Sequence, residues 1–216
     1  MLSLPPPPTR AKATLARIVA PTPVRARPGA APVIARLDPQ ERWTGGPVRL
    51  LVLGARRRDG TTWLRVRLPE RPNTAAGWID GDRARLSTTP FRVVVRVRTR
   101  TVTVLRAGRR VQRFRAVVGK PSTPTPTGLF AIAAKSRQPD PGAFLGPWAL
   151  HLTAHSTVLD DYGGGRGRVA IHGRSGASLL DALGTARSHG CVRIDNRRVV
   201  WLARHLPVGT PVRIHR

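Results

Sequence analysis

Ile171-His172-Gly173, then fourteen residues, then Ser188-His189-Gly190-Cys191-Val192-Arg193-Ile194: this stretch decides how the rest of the chain is read. Cys191 is the only cysteine in 216 residues, so it has no partner for an internal disulfide. It follows His189 by two positions and His172 by nineteen. A lone thiol with histidines that a fold can bring close is the pattern expected of a thiolate nucleophile. A free thiol, with a pKa of about 8.5, is mostly protonated at neutral pH, and a nearby imidazole can take that proton. The commoner fate of a free cysteine is to be a small buried hydrophobe. The flanking glycine and the two histidines argue against that here.

Outward from this stretch the chain reads as short strands. Val169 to His172 is a strand-like run whose last residue can present its ring to a cleft at the sheet edge. The Gly163-Gly164-Gly165 cluster before it marks a mobile loop, with Tyr162 beside it. Phe91 to Arg98, Thr101 to Leu105, Val111 to Val118, Leu129 to Ala133, Trp148 to Thr153 and Val212 to Ile214 extend the pattern, with Ala107-Gly108 as a hairpin turn. Ser178 to Leu183 suits one short helix. A clearer one runs from Arg197 to Leu206, with Asn196 as N-cap and Pro207 as its stop.

Upstream, Val48 to Leu53, Trp63 to Leu68 and Gly77-Trp78-Ile79 are strand-like, with Asp59-Gly60 as a hairpin turn. The composition divides the chain into a disordered Pro-rich leader (1–16), a small β domain (17–86) and a larger region (87–216) that begins at the Ser87-Thr88-Thr89-Pro90 break. The fold class is mainly β, with one or two short helices.

His172-Gly173, the spacer and Ser-His-Gly-Cys-Val-Arg closely resemble the active-site signature of the L,D-transpeptidase (YkuD-type) catalytic domain family. Two further stretches carry the resemblance: Val118-Gly119-Lys120 with Thr125-Pro126-Thr127-Gly128-Leu129-Phe130, and Asn196 with Val199 to Ala203 and Gly209-Thr210-Pro211-Val212. It covers roughly Phe91 to Arg216, and implies a β-sandwich or barrel catalytic domain acting on bacterial peptidoglycan. The tryptophan-containing hairpin of Trp63-Leu64-Arg65-Val66 and Gly77-Trp78-Ile79 resembles the bacterial SH3-like domain, which implies a small barrel serving as wall-binding module or spacer.

The resemblance implies that Cys191 is the nucleophile and His172 the general base, oriented through a hydrogen bond to the Gly173 carbonyl. Spacing alone puts His189 on the Cys191 face of an extended segment, where it can support the thiolate or the oxyanion or compete as base. The N–H groups of Gly190 and Cys191 are the expected oxyanion donors. Ser188 is expected to fix the turn and, with Arg193, to form the substrate side of the site, the arginine pairing with a substrate carboxylate through its planar fork. His151 and His155 share a face on a regular strand, which invites a zinc reading, but no Cys pair or His-Glu-x-x-His motif accompanies them. No metal and no cofactor is expected. Thr125-Pro126-Thr127-Gly128 has no obvious catalytic group and reads as structural, shaping the cleft wall.

By resemblance the reaction is 3→3 cross-linking of stem peptides through a Cys191 thioester. Capture by water, giving an L,D-carboxypeptidase, or by another amine shares the same motif. A non-catalytic wall-binding protein is the reading from a different class.

The net charge is +27, almost all from arginine, since Lys12, Lys120 and Lys135 are the only lysines. Such a charge attracts polyanions, and anionic wall polymers fit the resemblance. Nothing resembles a zinc finger, a basic zipper or an aromatic RNA-binding motif, so no specific nucleic acid is expected. Spread along alternate strand positions, the arginines also read simply as a solvated basic surface. No apolar run approaches the roughly 18 residues of a membrane span. Met1-Leu2-Ser3-Leu4 followed by Pro5 to Pro8 lacks the apolar core of a signal peptide, although the resemblance implies an extracytoplasmic, wall-associated place of action.

Overall fold

A computed structural model describes residues 4–29, 31–42, 44–160 and 167–216; Tyr162 and the Gly163-Gly164-Gly165 cluster lie outside them. The first sheet has seven strands: β1 (Ala13–Ile18), β2 (Thr22–Arg25), β3 (Val33–Leu37), β4 (Arg49–Arg58), β5 (Thr61–Arg67), β6 (Ala76–Asp80) and β7 (Ala84–Thr89). They lie in the order β3-β2-β6-β5-β4-β1-β7. Asp59 and Gly60 close the β4–β5 hairpin with φ of 50° and 75°, the paired positive values that suit the strands' right-handed twist. In β5, Leu64 and Val66 are buried and Arg65 between them is exposed, the alternation of a half-buried strand.

The second sheet is mixed. After β8 (Phe91–Arg96), β9 (Thr101–Arg106) and β10 (Arg109–Arg115), the chain forms β11 (Val118–Gly119), β12 (Gly128–Arg137), β13 (Trp148–His155) and β14 (Arg168–His172). β15 (Ala186–Ser188), β16 (Val192–Arg193), α1 (Asn196–His205) and β17 (Pro211–His215) complete it. Eight strands lie in the order β10-β9-β8-β17-β12-β13-β14-β16, while β11 and β15 pair separately. Val93, Val95, Val102, Val104, Phe130, Ile132, Leu150, Leu152 and Ile171 fill its core, joined by Val199, Leu202 and Ala203 of α1. The three helical positions are spaced i, i+3, i+4, the stripe that seats a helix on a sheet. Arginines take the outward positions, as on β10, where Arg109, Arg110, Arg113 and Arg115 are all exposed.

The mainly β class and the two hairpin turns hold. Three local expectations are corrected. The N-cap of α1 is Asp195, whose carboxylate accepts the Arg197 N–H at 2.9 Å; Asn196 is the first helical residue and bonds elsewhere. Ser178 to Leu183 is not an α-helix; a 3₁₀ turn spans Gly176–Leu180 instead. Ala13 to Ala16, assigned by composition to the leader, form most of β1 between β4 and β7. Their side chains answer for it: Ala13, Leu15 and Ala16 are buried, and Ala13 and Leu15 meet Leu51 and Ala131 in a small cluster joining the two sheets. Ser87 to Thr89 pair with β1, so the first sheet continues up to Pro90.

Candidate active site

Strand register brings the two motifs together. β14 and β16 run parallel, with Ile171 opposite Val192 and His172 opposite Arg193. Cys191, one residue before β16, therefore lies beside Ala170, whose N–H donates to its Sγ at 3.4 Å. Ala170 and His172 are two apart on β14 and share a face. Thiol, imidazole and Arg193 line one cavity of about 420 Å³, with Phe144 and His189 at its walls.

The Cys191 segment is a turn rather than a strand. Gly190 has a φ of 116°, a backbone conformation that favours glycine. Strand alternation therefore does not place His189 against Cys191; His189 is exposed, though it lines the same cavity. The Ser188 hydroxyl accepts the Gly190 N–H at 3.1 Å and donates to the Cys191 carbonyl at 2.6 Å. This corrects two expectations. Ser188 is fully buried and serves the turn rather than the substrate side. The Gly190 N–H, expected as an oxyanion donor, is bonded to the Ser188 hydroxyl in the resting site.

The Thr125 motif supports this turn from below. Thr125 Oγ1 accepts the Gly119 N–H at 2.8 Å and donates to the Gly190 carbonyl at 2.9 Å. Thr123 Oγ1 donates to the Ser188 carbonyl at 3.3 Å, and Lys120 N–H bonds the same carbonyl at 2.9 Å. The parallel β11–β15 pair sets Gly119 beside Ser188, which puts these donors within reach.

His172 is 1 % exposed and its Nδ1 lies 2.7 Å from the Gly173 carbonyl, the orienting bond that the resemblance implied. A carbonyl only accepts, so Nδ1 carries the proton of the neutral ring and Nε2 keeps its lone pair. Burial pulls its pKa from 6.5 down to about 4; the Gly173 carbonyl opposes that shift and the Arg193 charge adds to it. Gly173 must be glycine for a steric reason: a Cβ there would overlap Asn196 Oδ1. That oxygen accepts the Arg174 N–H at 2.7 Å while Asn196 Nδ2 donates to the Arg174 carbonyl at 2.8 Å.

Burial pushes the Cys191 thiol up, while the Ala170 N–H and the Arg193 charge pull the other way. Both shifts favour a neutral thiol and a neutral imidazole over a preformed ion pair. Arg193 is 4 % exposed, and its Nη1 already meets Asp181 at 2.6 Å. Its guanidinium lies 4.7 Å from the Phe144 ring centroid. The expected free fork is therefore half engaged, and Arg193 stands as a fixed cation in the wall. Asp181 and Phe144 escaped the sequence reading. A signal for Asp181 was present: it is one of only 11 acidic residues in the chain and lies in the spacer between the two motifs.

His151 lines the cleft and bonds Ser136 Oγ through Nε2 at 2.9 Å; burial takes its pKa to about 4. His155 lines a different cavity, because a register shift between His151 and His155 breaks the alternation that would have put them on one face. No group of three or more His, Cys, Asp or Glu that could hold a metal occurs among the described residues.

Comparison with known proteins adds to this geometry. The family model described as the L,D-transpeptidase catalytic domain, YkuD, matches residues 90–214. A Bacillus licheniformis protein named as an L,D-transpeptidase, YkuD, is 37% identical over 127 residues, 59% of this chain and 67% of its own length. Its Bacillus subtilis namesake is 34% identical over 129 residues, 60% of this chain and 68% of its own. A Cys-to-Ser mutant of an Enterococcus faecium L,D-transpeptidase aligns with 58% of this chain and 49% of its own, at 22% identity and a TM-score of 0.40. The chain thus spans about two thirds of the Bacillus relatives and about half of the enterococcal one. By a match that extends from Pro90 into the last strand and takes in His172, Cys191 and Arg193, which line one cavity, the chain belongs to the YkuD family of L,D-transpeptidase catalytic domains.

Proposed function

We propose that the protein is a peptidoglycan L,D-transpeptidase that forms 3→3 cross-links through a Cys191 thioester. The observation that carries this is the convergence of the Cys191 thiol, a proton-accepting His172 and the Arg193 cation on one cavity. The donor is a stem tetrapeptide ending in D-alanine. Cys191 Sγ attacks the carbonyl carbon at the L-centre of diaminopimelate as its proton passes to His172 Nε2. The tetrahedral oxyanion is met by the Cys191 N–H in a partly desolvated site, where such a donor counts for most. The C–N bond then breaks, His172 returns the proton to the departing D-alanine amine, and a thioester remains. An amine of a second stem attacks the thioester and gives a proton to His172; the C–S bond breaks as the new peptide bond forms, and the imidazolium returns that proton to the departing thiolate. General base catalysis of this kind contributes about 10²–10⁴-fold. Because both groups rest neutral, the proton moves as the sulfur attacks. Arg193, held by Asp181, lowers the energy of the negative charge that develops.

Anionic wall polymers and the basic exterior fit an extracytoplasmic place of action at the cell wall. The test is mass spectrometry of products from disaccharide-tetrapeptides, comparing the full chain with Cys191→Ser. Cross-linked dimers that vanish in the variant are the expected result. Tripeptides without dimers would make the enzyme an L,D-carboxypeptidase, and no turnover by folded wild-type protein would overturn acyl transfer.

A further inference from the structure

The β5–β6 loop of the first sheet crosses to the second sheet at the edge of the cleft, a contact that the proposed chemistry does not use. Asn73 meets the end of β13 with both atoms of its amide: Oδ1 accepts the His155 N–H at 2.7 Å and Nδ2 donates to the His155 carbonyl at 2.8 Å. It does there what a neighbouring strand would do. Arg71 takes the next carbonyls, Nη1 bonding Ser156 at 2.7 Å and Nη2 bonding Leu159 at 2.9 Å. Its approach to Asp160, at 3.6 Å, is a solvent-exposed ion pair and adds little.

The segment so held is a wall of the cleft. Ser156 Oγ accepts the N–H groups of Val158 and Leu159 at 3.2 and 3.0 Å, and Ser156 N–H bonds the Gly167 carbonyl at 2.7 Å. A Cβ on Gly167 would overlap the Leu159 carbonyl, so these pieces pack as one unit. Ser156, Leu159 and Gly167 line the Cys191 cavity. Val158 beside them is 55% exposed, and a second cavity of about 460 Å³, lined by Arg67, Glu70, His155 and Arg168, lies beside the β13 end. Among the described residues, the first sheet reaches this wall through the polar bonds of Arg71 and Asn73.

We propose that Arg71 and Asn73 are positioning residues that fix the width of the substrate cleft, so that the first half of the chain helps decide how the peptide substrate docks. The proposal rests on the acyl-transfer reading above. It gives the β5–β6 loop a role in the reaction beyond wall binding or spacing. A fork that holds the Ser156 and Leu159 carbonyls of the wall keeps the cleft shaped for an extended peptide. The same fork is irrelevant to a small electrophile that reaches Cys191 unaided.

The test uses the full chain with Arg71→Ala, Asn73→Ala and Arg71→Lys. With disaccharide-tetrapeptide as substrate, each alanine variant removes two wall hydrogen bonds and is expected to raise KM roughly tenfold, with kcat changed less than about twofold. Arg71→Lys, which keeps the charge but offers one donor nitrogen in place of the fork's two, is expected to recover part of the loss. Alkylation of Cys191 by iodoacetamide should keep its wild-type rate. Hydrogen exchange at the Val158 and Leu159 amides should quicken in both alanine variants. Unchanged KM with unchanged exchange, or a fall in kcat at constant KM, would overturn the proposal. If the wild-type protein turns over no tetrapeptide, acyl transfer fails on its own account, and exchange at those two amides still decides whether the loop holds the wall.

Discussion

Thr125→Val tests how the cysteine turn is supported. The substitution keeps the volume and removes one buried hydroxyl, 3% exposed, that bonds the Gly119 N–H and the Gly190 carbonyl. Both partners are buried backbone groups on the two segments that meet under Cys191. Each buried group left unsatisfied costs roughly 1–3 kcal/mol, so the pair costs roughly 2–6 kcal/mol. For a chain of this size a loss of about 3 kcal/mol lowers Tm by about 6–12 °C. The second consequence is local: with the Gly190 carbonyl released, the thiol becomes less sheltered, so iodoacetamide should alkylate Cys191 faster while cross-linking slows. Thr127 sits two residues on and is exposed, so Thr127→Val should cost less than about 0.5 kcal/mol. Thr125→Ser keeps the hydroxyl and should restore most of the stability. Thermal unfolding and alkylation kinetics on the four proteins decide the matter. Equal Tm values for the two valine variants, or a serine variant as unstable as the valine one, would refute the reasoning.

Acid should weaken the fold through His172. Its folded pKa of about 4 lies below the usual 6.5, so the unfolded chain takes up the proton first. The associated stability is therefore complete above about pH 6.5 and is lost as pH falls towards 4, amounting at most to roughly 3 kcal/mol. Urea midpoints at pH 7 and pH 5 should diverge in the wild type and converge in part in His172→Gln; parallel shifts would contradict the assignment. Asp181→Asn removes the partner of a cation that is 4 % exposed, while the aspartate itself is 22 % exposed. A cost of roughly 2–4 kcal/mol follows, below the fully buried case, and chemical denaturation reads it directly. Because burial raises the Cys191 pKa, alkylation at pH 7 should be slower than for a free cysteine in solution and should climb steeply at alkaline pH. A rate at pH 7 equal to that of free cysteine would mean that the thiol is not shielded as described.

Residue type and spacing were enough for the parts of this protein that depend on neighbours in the chain. Asp59-Gly60 and Ala107-Gly108 close hairpins because their backbone preferences are local, and α1 forms over an i, i+3, i+4 stripe because helix periodicity is local too. The thiol and the imidazole were legible as a pair because few residue types can do that chemistry. Tertiary structure decided the remainder. The leader boundary was misplaced because Ala13 to Ala16 look featureless until Leu51 and Ala131 close over them. Ser188 changed from a substrate-side residue to a turn residue because burial depends on what packs above it. Asp181, twelve residues from Arg193, became its partner only when the spacer folded back onto β16. Arg71 and Asn73 lie more than eighty residues from the carbonyls they hold, a distance over which no local pattern carries information. The sequence by itself determined which groups can react, because that is a property of side chains. Only the tertiary structure decided their protonation, their partners and the walls around them, because desolvation and hydrogen bonding belong to the space that distant segments enclose.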